Sequence, residues 1–203
     1  MIIEGRGARQ CVCLRESIKR LALAQIPPLY QGLSLATVRP DTDRHALQGD
    51  LFDALRTAPE ASYLLFGRNG CGKTLAGWLL YRSAIEAGRS ATALSCSDLV
   101  LQFRAWEFDP DKIPAVQPDD LKTGERRLLF LDEIDKARPT EFAGETLFRL
   151  LDAAYTHRQQ VVVTSNTPLN DLAAHWSRNN VSIGPSLVRR LMEMDAALLV
   201  EMF

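Results

Sequence analysis

Long apolar runs are missing from this chain. No stretch approaches the ~18 to 20 consecutive apolar residues of a membrane-spanning helix, so no membrane role is expected. The opening MIIEGRGARQ turns polar and charged after its first three residues and lacks the apolar centre of a signal peptide, so the expected location is cytoplasmic. Cysteine is scarce. The four present (Cys11, Cys13, Cys71, Cys96) should be reduced in that compartment, which argues against a disulfide framework. An excess of either charge is lacking too: 24 Lys and Arg stand against 25 Asp and Glu, a formal net charge of −1. There is no global attraction to nucleic acid, and any DNA-binding surface must be a local patch. Internal repeats and low-complexity tracts are absent. What remains is 203 residues with a 46% hydrophobic fraction, enough for one α/β domain with a full core and a short appendage.

The appendage covers residues 1–24. Its first 20 residues carry five cations (Arg6, Arg9, Arg15, Lys19, Arg20) and two anions (Glu4, Glu16), a local balance of +3. Leu14, Ile18, Leu21 and Leu23 suggest an amphipathic helix. It either packs one face on the body or contacts DNA or a protein partner. Pro27 and Pro28 must break it. From residue 25 to 203 the pattern becomes one domain. Residues 31–45 read as a loop, and Leu47, Leu51 and Leu55 mark a helix to Thr57. Strands are expected over 62–66, 91–95, 127–131, 161–165 and 196–200. Between them fall helices over 73–87, from a cap at Ser97 or Asp98 to about 106, over 140–157 with Thr140 as cap, over 169–176 and over 185–192. Phe108 to Thr123 reads as a surface loop. This alternation predicts a parallel sheet with helices on both faces.

Two motifs carry chemistry. GRNGCGKT, Gly67 to Thr74, follows an apolar strand and opens a helix, as a P-loop must. Gly67, Asn69, Gly70, Cys71 and Gly72 would line phosphate oxygens with backbone amides, and the helix N-terminus adds favourable partial charge. Lys73 would reach the β- and γ-phosphates of ATP, and Thr74 would offer its hydroxyl to Mg²⁺. LLFLDE, Leu128 to Glu133, ends an apolar strand in two carboxylates. Asp132 would hold Mg²⁺, and Glu133 would act as general base toward the attacking water. Asp135 reads as a surface acid near Lys136. Asn166, at the end of Val161–Ser165, would orient the water and touch the γ-phosphate; an ordinary turn asparagine is the alternative. Arg189 and Arg190 are either surface arginines or a source of positive charge for a neighbouring subunit's phosphate.

These elements in this order resemble the AAA+ ATPases, and more closely the DnaC-type helicase loaders and IstB-type transposition ATPases. The resemblance rests on four further stretches besides the two motifs. They are Ile26 to Tyr30 with Leu33 to Leu35, Phe142 to Leu151, Thr164 to Leu172, and Val188 to Met194. It implies a P-loop AAA+ fold and an ATPase that forms an ATP-dependent oligomer on single-stranded DNA and helps place a replicative DNA helicase. A transposition ATPase and a nucleotide-switch adaptor with little turnover are the alternatives. It also implies that Arg190 is the arginine finger, and that Ile26 and Tyr30 lie near the adenine, where plain packing of Tyr30 fits as well. The chain departs from the pattern in three ways. Only Cys11-Val12-Cys13 stands where relatives often have a cysteine cluster, too few for a four-ligand zinc site. Little or no C-terminal lid fits before Phe203. The carboxylate pair is Asp-Glu where many loaders have Asp-Asp, which favours hydrolysis.

Overall fold

Five short apolar segments pair side by side and set the frame of the molecule. In the computed structural model, which describes residues 12–39, 46–178, 183–194 and 198–202, these are β1 (Tyr63–Gly67), β2 (Ala91–Ser95), β3 (Leu128–Asp132), β4 (Gln160–Ser165) and β5 (Leu198–Met202). The strand order is β2-β3-β4-β1-β5 and every pairing is parallel. Parallel strands need long crossovers, and helices supply them: α3 (Lys73–Glu86), α4 (Cys96–Phe108), α5 (Glu141–Thr156), α6 (Leu169–Trp176) and α7 (Ile183–Met192). Two further helices, α1 (Val12–Ala24) and α2 (Ala46–Thr57), precede β1.

Alternate side chains of each strand point to opposite faces. Tyr63, Leu65, Phe130 and Val162 pack with α2, α3, Ile26 and Val38 on one face. Leu64, Phe66, Leu129 and Val163 pack on the other with Leu99 of α4, Leu147 and Leu150 of α5, Trp176 of α6 and Leu187 of α7. Covering both faces accounts for the near-continuous apolar runs in the sequence. Helix α1 joins the first face through Ala22 and Leu23, and the Tyr81 hydroxyl donates to the Ala22 carbonyl at 3.2 Å.

Four expectations change. The cap of α4 is Ser95, not Ser97 or Asp98: its Oγ accepts the Asp98 amide at 3.0 Å, because the last residue of β2 still has extended backbone when the helix begins. The stretch 108–123 is not all surface loop, since Pro118–Leu121 forms a 3₁₀ turn that buries Leu121, with Val116 buried just before it. The third, at Asp135, and the fourth, at Ile26, belong to the site. Thr140 caps α5 as expected, its Oγ1 accepting the Ala143 amide. Of the basic appendage, Glu4, Arg6, Arg9 and Cys11 lie outside the described residues; Cys13 is free and exposed.

Candidate functional site

The ladder register gathers the site. Phe66 pairs with Ser165, so Gly67 and Asn166 leave neighbouring strands together. Leu131 pairs with Val163, so Asp132 and Thr164 come next, one strand over. All of these lie at the carboxyl ends of a parallel sheet, where open α/β folds hold their ligands.

The loop from Gly67 to Gly72 turns sharply into α3. Gly70 and Gly72 have φ of 82° and 98°, in the left-handed region that other residues enter only at a cost. Gly72 stands at the N-cap, and no side chain caps the helix there. The first amides of α3 therefore point out of the helix end, where an anion can receive them. Lys73, only 6% exposed, folds back over the loop. Its Nζ donates to the carbonyls of Gly67 at 2.7 Å and Arg68 at 3.0 Å, and to Asn166 Oδ1 at 3.0 Å. Cys71 is buried, with Sγ 3.5 Å from the same ammonium.

Thr74 Oγ1 donates to Asp132 Oδ1 at 3.1 Å. That is a pair of hard oxygens, one of them charged, the donor chemistry Mg²⁺ prefers when it shares its shell with phosphates and water. Thr164 supports the same carboxylate. Its Oγ1 donates to Asp132 Oδ1 at 2.6 Å and accepts the Glu133 amide at 2.8 Å, and its carbonyl accepts the Ile134 amide at 2.9 Å. Glu133 itself has φ of 54°, unusual for a residue with a side chain. Bonds to Thr164 thus hold the turn that presents Glu133, which is exposed at the strand tip.

Asp135 is not a loose surface acid. Its Oδ1 accepts the Asn166 amide at 3.1 Å, and its Oδ2 accepts the Thr167 hydroxyl at 3.2 Å. It ties the turn after β3 to the turn after β4. Behind it Cys96 is fully buried; burial pushes its thiol pKa up, and the nearby Asp135 carboxylate pushes it further. A buried neutral thiol of this kind is inert.

A cleft of about 400 Å³ opens over these groups, lined by Asn69, Gly70, Gly72, Lys73, Thr74, Glu133, Thr164 and Asn166, with Tyr30 and Leu75 at its side. Tyr30 therefore reaches the cleft. Ile26 does not: it is 1% exposed and packs in the core beside α2 and α3. Arg190 does not line the cleft either. It bonds Asp152 at 2.7 Å and Glu193 at 3.1 Å, and its guanidinium lies 4.8 Å from the Tyr155 ring centre. Thr164 and Asp135 are the site residues that sequence reasoning passed over. Their polar side chains next to the two motifs were visible, but their partners depend on the sheet register.

Fold and site together define a P-loop nucleotide-binding domain of the AAA+ class. The model for the IstB-like ATP binding protein family matches residues 41–195, most of the chain, and the chain belongs to that family. Solved structures with this fold include the DnaC helicase loader, at 18% identity and a TM-score of 0.63, with 85% of this chain and 99% of that one covered. The crystal structure of DnaI aligns at 16% identity and a TM-score of 0.63, covering 82% of this chain and 87% of the other. AMPPCP-bound DnaA from Aquifex aeolicus aligns at 18% and 0.61, covering 86% and 50%. At these identities the likeness is one of fold. No curated protein sequence matches the chain. Among the described residues no helix is long and apolar enough to cross a membrane.

Proposed function

We propose that this protein hydrolyses ATP and acts in DNA replication as a cytoplasmic helicase loader. It would assemble with ATP on single-stranded DNA and engage a replicative helicase. The observation that carries the hydrolytic part is the position of Glu133, exposed beside the cleft and held there by the bond from its amide to Thr164. The likeness in fold to a helicase loader supports the replication part.

The residues divide the work. Lys73 and the amides of Gly70 to Thr74 bind the phosphates. Thr74 and Asp132 would hold Mg²⁺, which when bound supplies positive charge to the phosphate oxygens. Asn166 orients a water beside the terminal phosphate. Glu133 takes a proton from that water as its oxygen bonds the γ-phosphorus and the bond to the bridging oxygen breaks; ADP and phosphate leave. Tyr30 flanks the base. Arg190 would act in trans: its ion pairs to Asp152 and Glu193 keep it away from its own cleft, and a neighbouring subunit's cleft is where it would be used.

The family match supports a second reading, a transposition ATPase. Capture by a replicative helicase against capture by a transposase, each with ATP and single-stranded DNA present, separates the two. A chain that binds ATP without turnover in both settings would instead be a nucleotide-switch adaptor.

A further inference from the structure

Strand β4 ends at Ser165, so Asn166 is the first residue past the ladder. Its side-chain oxygen accepts from Lys73 Nζ at 3.0 Å. That hold is open to competition. A lysine ammonium has three protons to donate, and the carbonyls of Gly67 and Arg68 are its other oxygen partners. A phosphate that draws on this ammonium must displace one of them. The main chain of Asn166 is held from another side. Past the pairing of Leu131 with Val163, β3 turns through Glu133 at a φ of 54°. The turn returns the Ile134 amide to the Thr164 carbonyl at 2.9 Å and sets Asp135 against the end of β4. Asp135 Oδ1 accepts the Asn166 amide at 3.1 Å, and Oδ2 accepts the Thr167 hydroxyl at 3.2 Å. The two strands have parted here, and a carboxylate stands where the next rung of the ladder would be. Asp135 is half-buried and does not line the cleft.

We propose that Asp135 is a positioning residue for ATP hydrolysis: it anchors Asn166, so that the amide side chain stays aimed at the lytic water when the nucleotide draws Lys73 away. This rests on the hydrolytic part of the proposed function and deepens it by naming what fixes Asn166. The single turn from Asp132 to Asp135 then carries the metal ligand, the base and the seat of Asn166. Base and water-orienting group keep one separation because they share that turn. Glu133 does not depend on the anchor, since its own amide bonds Thr164. The anchor needs two polar atoms in the right places and no negative charge. Charge is a liability here, because a third carboxylate beside Asp132 and Glu133 repels an anionic ligand.

Kinetics of full-length variants test it. Asp135→Ala removes both acceptors, and kcat should fall ~10- to 10²-fold, as for a group displaced by about 1 Å, with KM for ATP within several-fold. Asp135→Asn can accept the Asn166 amide through Oδ1 and donate to the Thr167 hydroxyl through Nδ2, so it should keep kcat within ~3-fold. Thr167→Val breaks the Oδ2 bond alone and should spare kcat even where it lowers Tm as much as Asp135→Ala does. In an Asn166→Ala background, Asp135→Ala should cost under ~3-fold more, because the group it anchors is gone; independent roles would multiply. Asp135→Ser, whose oxygen stops one bond short, replaces the alanine variant if that does not fold. Losses that multiply in the double variant, an asparagine variant as slow as alanine, or a Thr167→Val loss equal to that of Asp135→Ala overturns the proposal and leaves Asp135 a structural tie. Hydrogen exchange at the Asn166 amide, followed by NMR, needs no turnover. It should be slow in the unaltered chain and in Asp135→Asn, and fast in Asp135→Ala. Equal exchange in all three refutes the anchor whatever the turnover. A chain that shows the protection but never releases phosphate refutes the hydrolytic reading instead, and the catalytic use of the anchor with it.

Discussion

The Lys73 ammonium bonds the Asn166 amide oxygen at 3.0 Å across 93 residues of chain. Lys73 and the tip of β4 are thus one unit. The two should still separate on substitution. Lys73→Ala removes the point charge from the phosphates and should abolish ATP binding by calorimetry. Asn166→Ala leaves the charge in place, so affinity should hold within several-fold while phosphate release falls ~10²-fold. Equal losses of binding in both variants would show that Asn166 serves only to hold Lys73.

Glu133→Gln keeps size and the amide bond to Thr164 but removes the base. ATP should bind as before, and turnover should drop by about 10²-fold or more. Unchanged turnover in a phosphate-release assay would assign the proton to another group.

Thr164 acts through its neighbours and is a positioning residue. Thr164→Val leaves the Glu133 amide without its acceptor and Asp132 without one donor, so kcat should fall ~10-fold or more while nucleotide affinity changes little. Thr164→Ser retains the hydroxyl and should recover most of the loss. Failure of serine to recover it would mean that the hydroxyl acts only when the methyl group, packed in the strand, fixes its rotamer.

Arg190→Ala should keep ATP binding and lose most turnover, since a missing arginine finger costs ~10³-fold or more. Specific activity of the unaltered chain should rise with concentration. Mixing Arg190→Ala with Lys73→Ala protein should restore some activity, because each supplies the half the other lacks. If mixing restores nothing and activity is independent of concentration, the arginine is structural, held where Asp152 and Glu193 now pair with it.

Gly77 on α3 lies against the face of the sheet, where an added Cβ would run into the buried Phe130 ring. Gly77→Ala should cost about 1–3 kcal/mol and lower Tm by roughly 2–10 °C. Gly49, in α2, has open space around the same position. Gly49→Ala should stabilise by about 0.5–1 kcal/mol. Thermal unfolding of the two variants side by side checks both signs.

Much of this was legible before any coordinates. The five strands announce themselves as apolar runs because both faces of a parallel sheet are covered, and the P-loop is a local object whose glycines, lysine and threonine are consecutive. What could not be read depends on alignment between distant segments. Thr164 looks like any strand threonine until Leu131 is paired with Val163. Asp135 looks like a surface acid until the same pairing brings it under Asn166. The family resemblance set Ile26 and Tyr30 together near the base, but the chain turns Ile26 inward and leaves Tyr30 at the cleft.

The strand pairing has a further meaning. Gly67, Asp132 and Asn166 meet because three strands stop in step, not because any one contact pulls them together. The site is written as lengths. One residue inserted in or deleted from β1, β3 or β4 would turn the following side chain to the opposite face and leave every functional residue present but misdirected. Loops at the amino ends of these strands, away from the site, can grow or shrink; the strands and the turns at their carboxyl ends cannot.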